Sequence, residues 1–281
     1  MTMHSILVVG GTGKTGGRVA AGLRARGADV RVAARSADVR FDWNDRATWD
    51  AALDGVAAAY VVPLDGALLT RPFAERAARL GVGRLVLLSG RGVDVPGYGD
   101  PSSAVGRTHV DGEDAVRSGD VPWTILRPGW FAQNFSEGFF REAVLAGELR
   151  LPAGDGAASF VDAEDIADVA VAALTEDGHA GRTYELSGPR ALTMAEAAAE
   201  ISAVTGRKIR YVPLSPDEFV AELVEQGWPA GDAKEYADVV AAIRLGLDAH
   251  ISDGVRHALG RDARDFTGFV REAARSGAWR A

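Results

Sequence analysis

Ile6-Leu7-Val8-Val9 runs without a break into Gly10-Gly11-Thr12-Gly13-Lys14-Thr15-Gly16, and the reading of this stretch decides the fold. A short apolar, β-branched run that ends at glycine predicts a strand. Val19, Ala20 and Leu23 then recur at helical spacing, and Gly27 stops them, so a helix is predicted from Gly13 to Arg26. Between the two, Gly10 allows a tight turn, Gly13 lets backbone approach a pyrophosphate, and Gly16 lets the helix lie close to the strand. The free N–H groups and positive dipole end of such a helix attract phosphate. The spacing is G-x-x-G-x-x-G, and its strand–turn–helix context predicts a Rossmann-type dinucleotide-binding unit. Gly13-Lys14-Thr15 also looks like the end of a P-loop. The first glycine of that motif would fall on Val8, inside the strand, so a nucleotide-hydrolysing reading is set aside.

Working outward, apolar strands and helical repeats alternate to about residue 128. Strands are predicted at 29–34, 57–62, 84–88 and 122–126, and helices at 48–53, 68–80 and 107–117. This alternation predicts an α/β fold: a doubly wound, mostly parallel sheet with helices on both faces. Past Pro128 the rhythm changes to the aromatics Trp130, Phe131, Phe135, Phe139 and Phe140. Helices follow at 161–174, 193–205 and 216–226, with strands at 183–186 and 208–212. The expected organisation is a Rossmann core over 1–129 and a smaller α/β substrate-binding cap over 130–281. About 155–190 is expected to return to the core.

Composition narrows the function classes. The 281 residues carry 31 Lys plus Arg against 39 Asp plus Glu, a net charge of −8. That balance repels phosphate backbones, and no dense basic run offsets it, so no nucleic-acid partner is expected. There is no cysteine, which excludes disulfides, thiolate metal sites and thiol nucleophiles. No signal peptide or membrane-length apolar segment is read, so the expected setting is cytoplasmic, as a monomer or homodimer. Asp162, Glu164 and Asp165 cluster, but acids at this point favour a helix start. No metal site is expected.

The second strand ends Ala33-Ala34-Arg35-Ser36, with no acid at its tip. An acid there would suit the ribose 2′-hydroxyl of NAD. Arg35 instead suits a 2′-phosphate, with Ser36 as a further donor, so NADP(H) is the expected cofactor.

These residues resemble the NmrA-like atypical short-chain dehydrogenase/reductases. The likeness is carried by GGTGKTG (10–16), Arg35-Ser36, LVLLSG (85–90), His109-x-x-x-Glu113, WTILRPGWFAQNF (123–135), VDAEDIADVA (161–170) and YELSGP (184–189). The resemblance implies that Gly10, Thr12, Gly13, Lys14, Thr15 and Gly16 line the pyrophosphate and Arg35 holds the 2′-phosphate. Asp42 and Trp43 would lie near the adenine, and Val62, Pro63 and Leu64 on the ribose side. Ser89, Gly90 and Pro128 would border the nicotinamide. Gly129, Trp130 and Phe131 would border the nicotinamide and the substrate pocket, and Phe135, an aromatic of the same run, is read as a pocket residue beside them.

Ordinary members of the wider superfamily use a Tyr-x-x-x-Lys pair, which this chain lacks; Tyr98 is the only tyrosine in the right stretch. His109 and Glu113 share a helix face at i, i+4, so Glu113 is expected to orient His109 and raise its pKa toward that of a neutral-pH acid. The alternative is that the pair ties elements together or bonds the cofactor ribose. Flat aromatic side chains suit a quinone or similar conjugated aromatic carbonyl. Core packing is the competing reading for Phe135 and Phe139, which are four apart. The expected activity is NADPH-dependent hydride transfer to such an acceptor; the rivals are a cofactor-sensing binding protein and a tailoring enzyme of the same fold that runs another reaction and uses the cofactor structurally.

Overall fold

The structure, a computed structural model, describes residues 5–93 and 104–280. In chain order they form β1 (Ser5–Val9), α1 (Lys14–Ala25), β2 (Val30–Ala34), β3 (Val39–Arg40), α2 (Ala47–Leu53), β4 (Val56–Val61), α3 (Thr70–Arg79), β5 (Arg84–Leu88), α4 (Ala104–Arg117) and β6 (Trp123–Pro128). Then come α5 (Asn134–Glu137), α6 (Arg141–Ala146), β7 (Glu148–Leu151), β8 (Ala157–Ala158), α7 (Ala163–Thr175), β9 (Arg182–Leu186), β10 (Leu192–Thr193) and α8 (Met194–Thr205). The chain continues through β11 (Arg210–Pro213), α9 (Pro216–Glu225), α10 (Ala230–Arg244), α11 (Gly254–Leu259) and α12 (Phe266–Ser276).

Seven strands make one sheet in the order β3-β2-β1-β4-β5-β6-β9, and every neighbouring pair is parallel. Side chains alternate across a strand, so β1 feeds two cores at once. Ile6 and Val8 face α1 and α7, packing with Val19, Leu23, Ile166 and Val169. Leu7 and Val9 face the other layer, with Trp49, Phe73 and Val116 of α2, α3 and α4. The strand order reverses between β1 and β4, and ligands of such sheets sit in the crevice at the carboxyl ends of the strands there.

The third core belongs to the cap. Phe135, Phe140, Phe160, Ile201, Phe219, Val240, Phe266 and Val270 pack together there. Two small sheets, β7 with β11 and β8 with β10, frame it. Within the second half of the chain, α7 packs on the main sheet and β9 extends it, while Val255 of α11 also joins the main core.

The aromatic segment departs from its expected pattern. Gly138 takes an extended backbone and ends α5, so Phe139 belongs to no helix. Phe135 is 0% exposed and Phe139 is 64% exposed. The two share no helix face, despite their spacing. The acidic cluster starts α7: Asp162 accepts from the backbone N–H of Glu164 at 2.9 Å, and Asp165 is buried against Arg261 and Arg264. Among the described residues, no helix is long and apolar enough to cross a membrane.

Candidate cofactor and active site

The glycine turn is built as its sequence requires. Gly10 has φ 73°, a left-handed conformation that favours glycine, and its N–H donates to Ala33 O at 3.0 Å. A Cβ at Gly10 would meet Val62 Cβ at 3.0 Å, so the ends of β1 and β4 touch across the crevice floor. A Cβ at Gly16 would overlap the carbonyl oxygen of Gly10; only glycine allows the helix to start so close to the turn. Gly13 is the N-cap of α1, and no side chain caps the helix. The N–H groups of its first turn, at Lys14, Thr15 and Gly16, are therefore available to an anion, and the cradle fits a pyrophosphate. Thr12 is exposed on the turn and Thr15 is buried beneath it. The Lys14 ammonium turns toward the cap, donating to Asn134 Oδ1 at 3.1 Å and standing 5.6 Å over the Phe139 ring. Burial lowers its pKa, partly offset by the charge of Glu137.

Arg35 and Ser36 are exposed just past β2, and Arg35 makes no hydrogen bond or ion pair with the described residues. Asp42 shapes the following loop by accepting from Asn44 N at 3.0 Å. Trp43 packs among Phe41, Trp49 and Phe73, and its Nε1 donates to Val62 O at 3.2 Å, bracing the end of β4. Val62 and Pro63 are half-buried and Leu64 is exposed. The loop they begin is tied to α4 by Gly66 N donating to Thr108 Oγ1 at 2.9 Å.

The far end of the crevice lies at β5 and β6. There the His109 ring rests on Gly90: a Cβ at that glycine would stand 3.0 Å from His109 Nε2. His109 Nδ1 is buried with no hydrogen-bond partner among the described residues. Glu113 does not orient it. The Glu113 carboxylate accepts from Ser89 Oγ at 2.7 Å, from Arg127 Nε and Nη2 at 2.8 Å each, and pairs with Arg117 at 2.8 Å. A planar guanidinium on β6 matches the carboxylate better than an imidazole on its own helix does, and this replaces the expected His109–Glu113 pair. Burial alone would raise the Glu113 pKa, but the hydrogen bonds from Arg127 and Ser89 and the arginine charges hold it below its usual value.

The pKa of His109 also moves opposite to expectation. Burial lowers it, and the charges of Asp65 and Glu113 offset this only in part. The imidazole is therefore neutral near pH 7. The unfolded chain takes up this proton more readily than the folded one, so the stability held above a pH of about 6.5 is lost as pH falls below it. A proton-NMR titration should give His109 a pKa below that of a model histidine. Wild type should also lose stability relative to His109→Gln between about pH 7 and 5. A His109 pKa at or above that of a free, solvent-exposed histidine would contradict the burial.

On the cap side, Pro128 is buried, and Trp130 stacks on Phe140 at 5.7 Å and donates to Asp248 Oδ2 at 3.0 Å. Phe131 is half-buried and bridges to Val161. Phe135 is a correction. Its fully buried ring packs against Phe140, Phe160 and Phe266 in the cap core, so it faces no open pocket. Tyr98 lies outside the described residues. Two residues of this region were missed from sequence. Arg127 interrupts an apolar strand, and a buried cation requires a partner, which was a legible signal. Arg91 directly follows the Ser89-Gly90 strand end, where loops carry function.

A doubly wound parallel sheet with a glycine turn and an uncapped helix at its switch point defines a Rossmann-type dinucleotide-binding protein. The chain belongs to the NmrA-like family, an NAD(P)-binding group related to the short-chain dehydrogenases; the family model matches residues 2–240. It is 37% identical to the (4-alkanoyl-5-oxo-2,5-dihydrofuran-3-yl)methyl phosphate reductase of Streptomyces griseus, covering 96% of this chain and 98% of that one. It is 35% identical to the uncharacterized oxidoreductase YesF of Bacillus subtilis, covering 99% and 98%. Among solved structures, the triphenylmethane reductase of Citrobacter sp. complexed with NADP(H) shares the fold at TM-score 0.75 and 24% identity, covering 96% of this chain and 99% of that one.

Proposed function

We propose that this protein is an NADPH-dependent reductase of conjugated carbonyl acceptors, quinones among them. The reading is carried by one juxtaposition in a single crevice: the glycine turn, the Arg35 guanidinium, which has no partner among the described residues, and the neutral His109 imidazole lying on Gly90. NADPH, when bound, supplies the hydride. The chain's own residues bind and orient. The backbone of Gly10 to Gly16 takes the pyrophosphate, and Arg35 with Ser36 takes the 2′-phosphate. Asp42, Trp43, Val62, Pro63 and Leu64 border the adenosine, and Ser89, Gly90 and Pro128 form the floor at the reactive end. Trp130 and Phe131 wall the acceptor side. His109 is a hydrogen-bond donor there and not a strong acid, because it is neutral at working pH. A conjugated acceptor suits this site, since its reduced anion is delocalised and water can protonate it. The Streptomyces griseus relative, named as the reductase of an oxo-dihydrofuran, supports the reading.

Loss of nicotinamide absorbance, measured against a panel of quinones and enones, is the test. Turnover with NADPH is expected. Arg35→Asp should weaken NADPH binding roughly ten- to a hundredfold and leave NADH affected far less. Equal wild-type affinities for the two cofactors would remove Arg35 from the assignment. The missing Tyr-x-x-x-Lys pair favours a second reading, an NADP(H) sensor. Tight NADPH binding with no turnover across the panel would select it.

A further inference from the structure

Arg91 begins where Ser89-Gly90 leaves β5, and its side chain crosses to the cap. Its Nη1 donates to Ser159 Oγ at 3.2 Å, Asp248 O at 3.4 Å and His250 O at 2.9 Å. A Cβ on Gly129 would stand 3.8 Å from both Arg91 Cδ and Nη1, so the side chain lies along the backbone that leaves β6. All three acceptors are uncharged, and they share a single nitrogen. Nε and Nη2 make no hydrogen bond with the described residues, and no described carboxylate pairs with this guanidinium. The nearby carboxylates are engaged elsewhere: Asp248 takes the Trp130 indole, and Glu185 stands 3.9 Å from both Arg127 and His250.

This differs from Arg127 one strand away, whose Nε and Nη2 hold Glu113. The edge carrying Nε and Nη2 is the one that takes an oxyanion bidentately. In Arg91 that edge has no partner among the described residues, on a side chain that is half-buried and pinned in place. The pyrophosphate cradle is too distant to use it. β4 alone stands between β1 and β5, so the turn after β1 and Arg91 lie two strand spacings apart, roughly 10 Å, and the side chain runs onward toward β6 and β9.

We propose that Arg91 is a specificity-determining residue that binds an anionic substituent, a carboxylate or phosphate, carried by the acceptor. The assignment rests on the reductase reading above. A guanidinium held at the junction of core and cap selects acceptors whose charged group reaches past β6 while the conjugated system lies over Gly90.

The probe is a naphthoquinone bearing a short carboxyalkyl chain, compared with its methyl ester, so that the ring chemistry is constant. A phosphorylated hydroxyalkyl analogue distinguishes the two oxyanions. Wild type should prefer the acid or the phosphate over the ester in kcat/KM by roughly tenfold or more. Arg91→Gln should bring the ratio close to one, and Arg91→Lys should restore part of it. A loosened cap lowers all acceptors together and preserves the ratio, so a preserved ratio in Arg91→Gln, or none in wild type, overturns the proposal. If no acceptor is turned over, the reductase reading fails separately. Calorimetric binding of acid and ester to NADP-loaded wild type and Arg91→Gln then decides: the same charge preference, lost in the variant, supports the site, and equal binding overturns it.

Discussion

Glu113→Ala is expected to destabilise the protein by about 3–5 kcal/mol, the cost of breaking a buried, hydrogen-bonded ion pair. The side chain of Glu113 is 2% exposed and that of Arg127 is 8% exposed. The carboxylate joins three elements, β5 through Ser89, β6 through Arg127 and α4 through its own backbone and Arg117. Alanine removes the bidentate partner of a buried cation and an acceptor for a buried hydroxyl in one step. Urea-induced unfolding should show the loss as a lower midpoint. A paired replacement, Glu113→Leu with Arg127→Met, should recover much of it, because two apolar groups of similar size carry no desolvation cost. A loss under about 1 kcal/mol, the range of an exposed pair, would show that the network contributes little. The low pKa of Glu113 means that its contribution persists above the ordinary carboxylate range. It is lost as pH falls below that range, through the lowered folded-state value.

Gly16→Ala is expected to weaken NADPH binding by roughly a hundredfold, about 2.7 kcal/mol. The added methyl would overlap the backbone of Gly10 and Gly11, which cannot turn aside as a side chain can. Either α1 retreats or the turn opens, and both spoil the first-turn N–H cradle. Gly17→Ala is the control, since its Cβ would meet nothing closer than Gly11 O at 3.7 Å. That change should leave affinity within a few-fold while stabilising the helix by about 0.5–1 kcal/mol. Fluorescence titration with NADPH measures both. Unchanged binding in Gly16→Ala would mean that the turn does not hold the cofactor.

Much of the core was legible because its signals are local. Strand, glycine turn and helix succeed one another within a few residues, and apolar periodicity separates strand from helix throughout the first half. β3, β8 and β10 are two residues each, too short to show any period. They exist because neighbouring strands offer backbone partners. The segment after Pro128 was harder for a related reason. Phe135 and Phe139 have helical spacing, yet Gly138 breaks the helix between them, and burial follows from what the cap supplies on each side.

The amino-acid sequence by itself determined that β1 meets α1 through a glycine turn, that Arg35 follows a strand tip without an acid, and that His109 and Glu113 share one helix. Each depends on residues near in the chain, where covalent geometry and backbone sterics do the selecting. Tertiary structure alone decided what those side chains touch. Glu113 of α4 pairs with Arg127 of β6, and His109 is left neutral against Gly90. Arg91 reaches across to the cap residues Ser159 and His250. Partner choice in a buried site compares geometry and desolvation among groups that only folding brings together.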